Sequence, residues 1–179
     1  MTVAAPFSPP WFRARKPMIL AINIGTGSWA VAAGLCWWLW PEVADRSGVA
    51  ERLSFAAQLA AGPALVLFVL LCSCFRLFDT ERAEDPFAGA ESHAWKINQR
   101  VLSNTLEQAS IFIPALFALA TRIDAAKLKA LPIAVTLWCT GRLLFWAGYR
   151  QSVVWRAPGF EWTFNTSLVV LAWYAVTLF

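Results

Sequence analysis

The chain is short of charged residues, and this shortage limits what the protein can be. Asp, Glu, Lys and Arg make up 15% of the 179 residues, whereas 59% are hydrophobic and eleven are tryptophan. This composition is typical of a single membrane domain. The net charge of +4 comes from basic residues that flank apolar runs and form no patch. No nucleic-acid partner is therefore expected.

Histidine and paired cysteines are also scarce. His93 is the only histidine, and one histidine cannot build a metal site alone. The four cysteines lie within apolar stretches, and Cys72 and Cys74 have no second pair nearby, as a zinc motif would require. We therefore predict no metal. The sequence also has no internal repeat and no low-complexity segment.

Five largely apolar stretches are long enough to cross a bilayer. They are Met18–Trp40, Leu53–Phe75, Trp95–Thr121, Ala130–Tyr149 and Trp162–Phe179. We predict an all-α integral membrane protein with five spans, preceded by an irregular arm at Thr2–Pro17. Pro63 and Pro114 should kink their helices. Pro158 and Gly159 should act as helix stops in a polar connection over residues 150–161.

The first span has an alternative interpretation. A basic start, an apolar core and the small residues Ala30-Val31-Ala32 are also typical of a cleaved signal peptide. The apolar run continues well past Ala32, which favours a retained helix. Lys and Arg are more frequent in the segments on the side of the N-terminus, which places that side in the cytoplasm.

A polar stripe opens the third span. Arg100, Asn104 and Glu107 stand at i, i+4 and i+7, so they share one face of a helix that continues into the membrane. A carboxylate at the bilayer centre costs about 2.5–3.5 kcal/mol unless it faces a protein interior or a watery cavity. We therefore expect Glu107 to face inward with a partner.

A second polar stripe lies on the fourth span. Arg142, Tyr149 and Arg156 stand at i, i+7 and i+14, and they share one face if the helix continues past the membrane surface. Glu107 is the only acid within any span, which makes it the expected partner of Arg142. Both stripes should open toward the cytoplasm.

The two stripes together suit a small zwitterion with more than one carboxylate. Guanidinium groups bind carboxylates, a carboxylate accepts from an ammonium group, and amide and hydroxyl groups complete the set. A structural salt-bridge network that ties the helices together is the alternative interpretation.

The two motifs resemble the MAPEG family, the membrane-associated proteins of eicosanoid and glutathione metabolism. Arg100-x-x-x-Asn104-x-x-Glu107 is similar to the glutathione-binding helix of that family. The segment from Gly141 to Phe160 is similar at further family positions, and the likeness extends over about residues 53–179. Those positions are Arg142, Gly148-Tyr149, Ser152, Arg156 and Pro158.

The resemblance implies a four-helix membrane bundle in residues 53–179, with an additional transmembrane helix in residues 1–52. It also implies a homotrimer with glutathione bound between subunits and reached from the cytoplasm. Arg156 would be the catalytic residue that stabilises the glutathione thiolate, acting on lipophilic substrates dissolved in membrane lipid. The glutathione-binding residues would be Arg100, Asn104, Glu107, Arg142, Tyr149 and Ser152.

Two positions depart from the family pattern. Members often have tyrosine where this chain has Gln108 and Phe145. The family also includes a lipid-binding member without enzyme activity. The leading hypothesis is therefore a glutathione-dependent transferase or peroxidase, and the alternative is a non-catalytic binding protein for lipid or glutathione. A small transporter with Glu107 and Arg142 as a charge relay would lack the repeated halves common in transporters.

Overall fold

The computed structural model describes residues 10–44, 46–75, 79, 85, 87 and 89–179, with side chains from residue 15 onward. These residues form helices and no strand. A short 3-10 helix at Ala125–Lys127 precedes the fifth α-helix. The α-helices are α1 (Pro10–Leu39), α2 (Val49–Leu59), α3 (Ala61–Cys72), α4 (His93–Arg122), α5 (Ala130–Gln151) and α6 (Ala157–Val176).

Proline affects the helices in different ways. The second predicted span is divided into α2 and α3 at Ala60. Pro63 explains the division, because it has no N–H to donate to the carbonyl of Leu59. In contrast, α4 continues through Pro114 to Arg122 as one helix.

Two predicted boundaries were wrong. Helix α6 begins at Ala157, so Pro158 lies in its first turn rather than in a connection that stops a helix. The first turn tolerates proline because its N–H groups have no intrahelical acceptor. Helix α1 begins at Pro10, so the predicted irregular arm is helical over residues 10–17. Residues 2–9 and most of the acidic segment 76–88 lie outside the described residues.

Within the described residues, three helical segments are long and apolar enough to cross a membrane. They are Arg15–Leu39, Val49–Cys72 and Ala125–Gln151. Large apolar side chains are exposed on their outer faces, among them Leu65 at 63% and Phe68 at 61%. Helices of this length and hydropathy are typical of an integral membrane protein. The crossings by α4 and α6 stay predictions.

The main core lies where α4 and α5 pack together. Phe112 and Trp138 are fully buried, and their rings stack with centroids 5.3 Å apart. Leu116 and Leu131 belong to the same buried cluster. Asn104 on α4 meets Arg142 on α5, whereas Phe112, further along α4, meets the earlier residue Trp138. The two helices are therefore antiparallel.

Helix α1 packs parallel to α6. The indole of Trp29 donates a hydrogen bond to the Thr166 hydroxyl at 2.9 Å, and the Trp162 indole donates one to the Ser28 hydroxyl at 3.0 Å. Further along both helices, the rings of Trp37 and Trp173 lie 6.2 Å apart. The additional N-terminal helix is thus joined to the bundle by specific polar contacts.

One end of the bundle collects the ends of four helices. The side chain of Asn98, near the start of α4, donates to the carbonyl of Ser73 just after α3 at 3.1 Å. The Asn98 carboxamide oxygen accepts from the Trp146 indole at 2.9 Å and from Arg150 at 3.3 Å, both near the end of α5. Helix α6 begins at this same end, and the polar cleft described next lies there.

Candidate active site

A cleft of about 220 Å³ lies at this end of the bundle. Five of the seven predicted site residues line it, together with two others. The lining residues are Arg100, Ser103, Asn104, Glu107, Phe145, Tyr149 and Arg156. The two stripes predicted from the sequence therefore meet at one cleft, which α4, α5 and the start of α6 form.

The charged side chains of the α4 stripe lie on the surface of the chain. Arg100 and Glu107 are exposed, and Asn104 is half-buried between them. The Asn104 amide nitrogen donates to a carboxylate oxygen of Glu107 at 3.4 Å. Glu107 thus has a partner, as expected, but it is open at the cleft rather than enclosed within the chain. One cation and one carboxylate remain accessible to a ligand.

Arg142 lies behind the cleft and is fully buried. Its two terminal nitrogens donate to the carboxamide oxygen of Asn104 and to the hydroxyl of Thr163, each at 2.9 Å. Its guanidinium also lies over the ring of Phe145, 4.4 Å from the centroid. The predicted ion pair between Arg142 and Glu107 is wrong, because Asn104 stands between the two charges.

These contacts also determine the orientation of the Asn104 amide. A guanidinium only donates, so the oxygen of the carboxamide must face Arg142. The nitrogen of the amide then faces Glu107, whose ionised carboxylate only accepts. A buried cation is costly unless it is hydrogen-bonded, and two short bonds stabilise it here. Arg142 therefore holds the α4 stripe in place from behind.

Arg156 reaches the cleft through a turn and not through a longer helix. Helix α5 ends at Gln151, and Ser152 has an extended backbone. The chain then turns so that the Arg156 guanidinium lies 5.3 Å from the centroid of the Tyr149 ring. Helix α5 does not continue to Arg156, which was the condition for a shared helical face, but the side chains of Tyr149 and Arg156 do meet.

Ser152 has a structural contact in this turn. Its hydroxyl accepts a hydrogen bond from the backbone N–H of Trp155 at 3.2 Å. It does not line the cleft. The hydroxyl stabilises the turn that carries Arg156, and the predicted ligand contact of Ser152 stays a prediction.

Two glycines allow this turn to close. A Cβ on Gly148 would lie 2.1 Å from the carbonyl oxygen of Trp155. A Cβ on Gly159 would lie 2.1 Å from the backbone nitrogen of Phe145. Both distances are far shorter than any real contact of a Cβ atom. The close approach of α5 and α6, and hence the position of Arg156, depends on these two glycines.

Thr163 and Asn98 are residues that the sequence analysis missed. Thr163, Thr166 and Ser167 are all buried and stand at i, i+3 and i+4 on a largely apolar helix. This spacing puts three hydroxyl groups on one face, a signal that could have indicated a polar contact inside the bundle. Asn98 lies six residues before Asn104, and its position gave no comparable signal.

The fold and the cleft define a class: a helical membrane protein with a cationic and acidic cleft at one end of its bundle. The model of the MAPEG family matches residues 56–177, and the chain belongs to that family. Helix α1 lies outside the matched residues. No curated protein and no solved structure gives a significant match.

Proposed function

We propose that the protein is a membrane-embedded glutathione-dependent transferase or peroxidase that acts on lipophilic electrophiles. Membership of the MAPEG family suggests a membrane function related to glutathione or eicosanoids. The observation that supports the finer proposal is the meeting of Arg156 and Tyr149 with the Arg100–Glu107 stripe at one cleft.

The polar groups of the cleft fit the charges of glutathione. The tripeptide has two carboxylates and one ammonium group. Arg100 offers an exposed guanidinium for a carboxylate, and Glu107 offers an exposed carboxylate for the ammonium group. Asn104 is already held by Arg142 and Glu107, so it keeps the stripe rigid. Arg142 acts from behind as a positioning residue without touching the ligand.

Arg156 is placed to stabilise a thiolate. Its Nε donates to the carbonyl of Val153 at 3.2 Å, and its side chain lines both the cleft and a neighbouring cavity. A cation beside sulfur favours the ionised form and lowers the pKa of a thiol. Bound glutathione would supply the sulfur nucleophile. The Tyr149 ring packs against Arg156 and restricts where its guanidinium can lie.

A homotrimer is part of the proposal. Arg100 and Glu107 are exposed on the isolated chain, although they lie on a helix that we predict to enter the membrane. Charged groups in that position are stable when a neighbouring subunit or a watery cavity covers them. A cleft between subunits meets this requirement. We further propose that it opens to the cytoplasm, on the side of the N-terminus.

Glutathione binding to detergent-purified protein, measured by calorimetry, tests the site. Thiolate absorbance in the ultraviolet, titrated against pH, then tests the chemistry. Binding together with a lowered thiol pKa supports the enzyme. Binding with an unshifted thiol pKa favours a non-catalytic binding protein. The observation that supports this alternative is Phe145, which stands where family members often have tyrosine. No binding at all contradicts both.

A further inference from the structure

A second cavity of about 230 Å³ adjoins the cleft on the side of α1. It is lined by Met18, Ile22, Arg156, Ala157, Phe160 and Glu161. Arg156 lines both cavities and therefore marks their junction. Met18 and Ile22 belong to α1, the helix outside the residues that match the family model. This cavity is consequently a feature that the additional helix creates.

The walls of the cavity differ in polarity. Met18 and Ile22 stand at i and i+4 on α1 and make the α1 side of the cavity apolar, while α6 contributes the ring of Phe160 opposite them. Arg156 and Glu161 supply a cation and a carboxylate on the other side. The Glu161 carboxylate already accepts from the Thr26 hydroxyl at 3.3 Å and from the Asn165 amide at 3.4 Å.

Arg156 has donors to offer within the described part of the chain. Its one hydrogen bond there uses Nε, and both terminal nitrogens lack an acceptor. Because the Glu161 carboxylate lies in the same cavity, an anionic head group would meet repulsion as well as attraction. A neutral carbonyl accepts from a guanidinium without that repulsion. The polarity of the cavity therefore favours a neutral head group.

The apolar wall is held in place. Ser28 and Trp29 of α1 are hydrogen-bonded to Trp162 and Thr166 of α6, next to the cavity. These bonds set the rotation of α1 about its own axis. With that rotation fixed, Met18 and Ile22 line the cavity, and Ile22 stays 36% exposed at its mouth. A wall with a fixed shape can discriminate between apolar ligands.

We propose that this cavity binds the lipophilic co-substrate, a membrane-dissolved amphiphile with an apolar body and a neutral carbonyl head. The body packs against Met18, Ile22 and Phe160, and the carbonyl accepts from Arg156. The proposal rests on the proposed function, because it places the co-substrate beside the arginine that would stabilise the thiolate. It assigns α1 the task of selecting that co-substrate.

Photolabelling tests the cavity without turnover. The probe is a long-chain saturated methyl ketone that carries a diazirine, which glutathione cannot consume. In the wild type we expect labelled peptides that contain Met18 and Ile22 of α1 and the start of α6, and excess unmodified ketone should compete. Ile22→Trp fills the cavity and should weaken the probe's apparent affinity by about tenfold. Ile24→Trp is the matched control, since Ile24 is 47% exposed and does not line the cavity.

A second pair of measurements covers the case in which Ile22→Trp does not fold. Ile22→Ala should weaken the ketone less strongly, by removing one apolar contact. Arg156→Leu should abolish the preference for the ketone over the matching diazirine hydrocarbon. Equal labelling of the two tryptophan variants, or a ketone preference that survives in Arg156→Leu, would overturn the proposal.

Glutathione calorimetry on the same samples separates this proposal from the proposed function. If the wild type binds the ketone at this cavity but does not bind glutathione, the proposed function fails and the cavity stands. If it binds glutathione but the label spreads evenly over the lipid-facing helices, the cavity proposal fails alone. Ile22→Trp and Ile24→Trp should both keep the wild-type affinity for glutathione.

Discussion

The carboxamide of Asn104 joins Arg142 to Glu107. Its oxygen accepts from the buried guanidinium at 2.9 Å, and its nitrogen donates to the carboxylate at the cleft at 3.4 Å. One neutral side chain thus connects a cation inside the bundle to an anion at the binding surface. The arrangement couples the stability of the fold to the geometry of the site, and the first prediction follows from it.

Asn104→Leu should destabilise the bundle by about 2–3 kcal/mol, because it leaves a buried guanidinium nitrogen without an acceptor. Thermal unfolding in detergent would measure the loss. Arg142→Met in the same chain should recover part of that loss, since it removes the unpaired charge. Ser103→Ala, a change on the exposed side of the same helix, is the control. Additive effects of the two changes would show that the pair is not coupled.

Glu107→Gln should weaken glutathione binding with little effect on unfolding. The Arg142 guanidinium keeps its bonds to Asn104 and Thr163, so no buried charge loses its partner. The lost carboxylate removes a charged hydrogen bond of about 1.5–3 kcal/mol to the ligand. Calorimetry would measure the affinity. Glu51→Gln, an exposed change on α2, should leave it unaltered. An equal affinity in both variants would remove Glu107 from the site.

Arg156→Leu should abolish the lowered thiol pKa of bound glutathione while leaving most of the affinity. Each unit by which the thiol pKa is lowered corresponds to about 1.36 kcal/mol of preferential thiolate stabilisation. Arg156→Lys should recover part of the shift, because the charge persists without the planar fork. The measurement is ultraviolet thiolate absorbance against pH with protein in excess. Turnover of a generic electrophile should fall in parallel, and undiminished turnover in Arg156→Leu would refute a catalytic role.

Gly159→Ala should destabilise the bundle by at least about 1–3 kcal/mol, because its methyl group would overlap the backbone of Phe145. The strain should also displace Arg156, so glutathione affinity should fall with the melting temperature. Gly27→Ala is a matched control on α1, where an added Cβ meets nothing within 4 Å. That variant should be neutral or more stable by about 0.5–1 kcal/mol.

The five-span topology predicts opposite locations for two positions. With a cytoplasmic N-terminus, a reporter fused at Phe179 should lie outside, and one inserted between residues 79 and 91 should lie inside. The same location for both reporters would exclude five spans. N-terminal sequencing of the mature protein should begin before α1. A start after Ala32 would instead show that the first span is a cleaved signal peptide.

The parts of the site that follow helix periodicity were predictable. Arg100, Asn104 and Glu107 share a face because residues three and four apart on a helix are neighbours, whatever surrounds them. The placement of Arg156 beside Tyr149 was predicted with the wrong geometry. A helix continued for five residues past Gln151 to Arg156 and a tight turn could both bring the same two side chains together, and the turn found here requires the close packing of Gly148 against Trp155.

The partner of Arg142 could not be predicted in the same way. It depends on which helices pack against α5 and at what rotation, and a single sequence does not contain that information. Charge alone suggested Glu107, the one acid inside a span. In the structure the guanidinium instead donates to Asn104 and Thr163, because these neutral acceptors on two different helices lie within hydrogen-bond distance of it.

The parallel packing of α1 on α6 has a consequence for biosynthesis. The hydrogen bond between Trp29 and Thr166 joins residues 137 positions apart, so α1 leaves the ribosome well before the helix on which it packs. The other helices can assemble while translation continues, but α1 has only its smaller contact with α5 until α6 has been inserted. Loss of α6 through a premature stop codon would therefore leave most of the packing surface of α1 uncovered in the bilayer, where membrane quality-control proteases could recognise it.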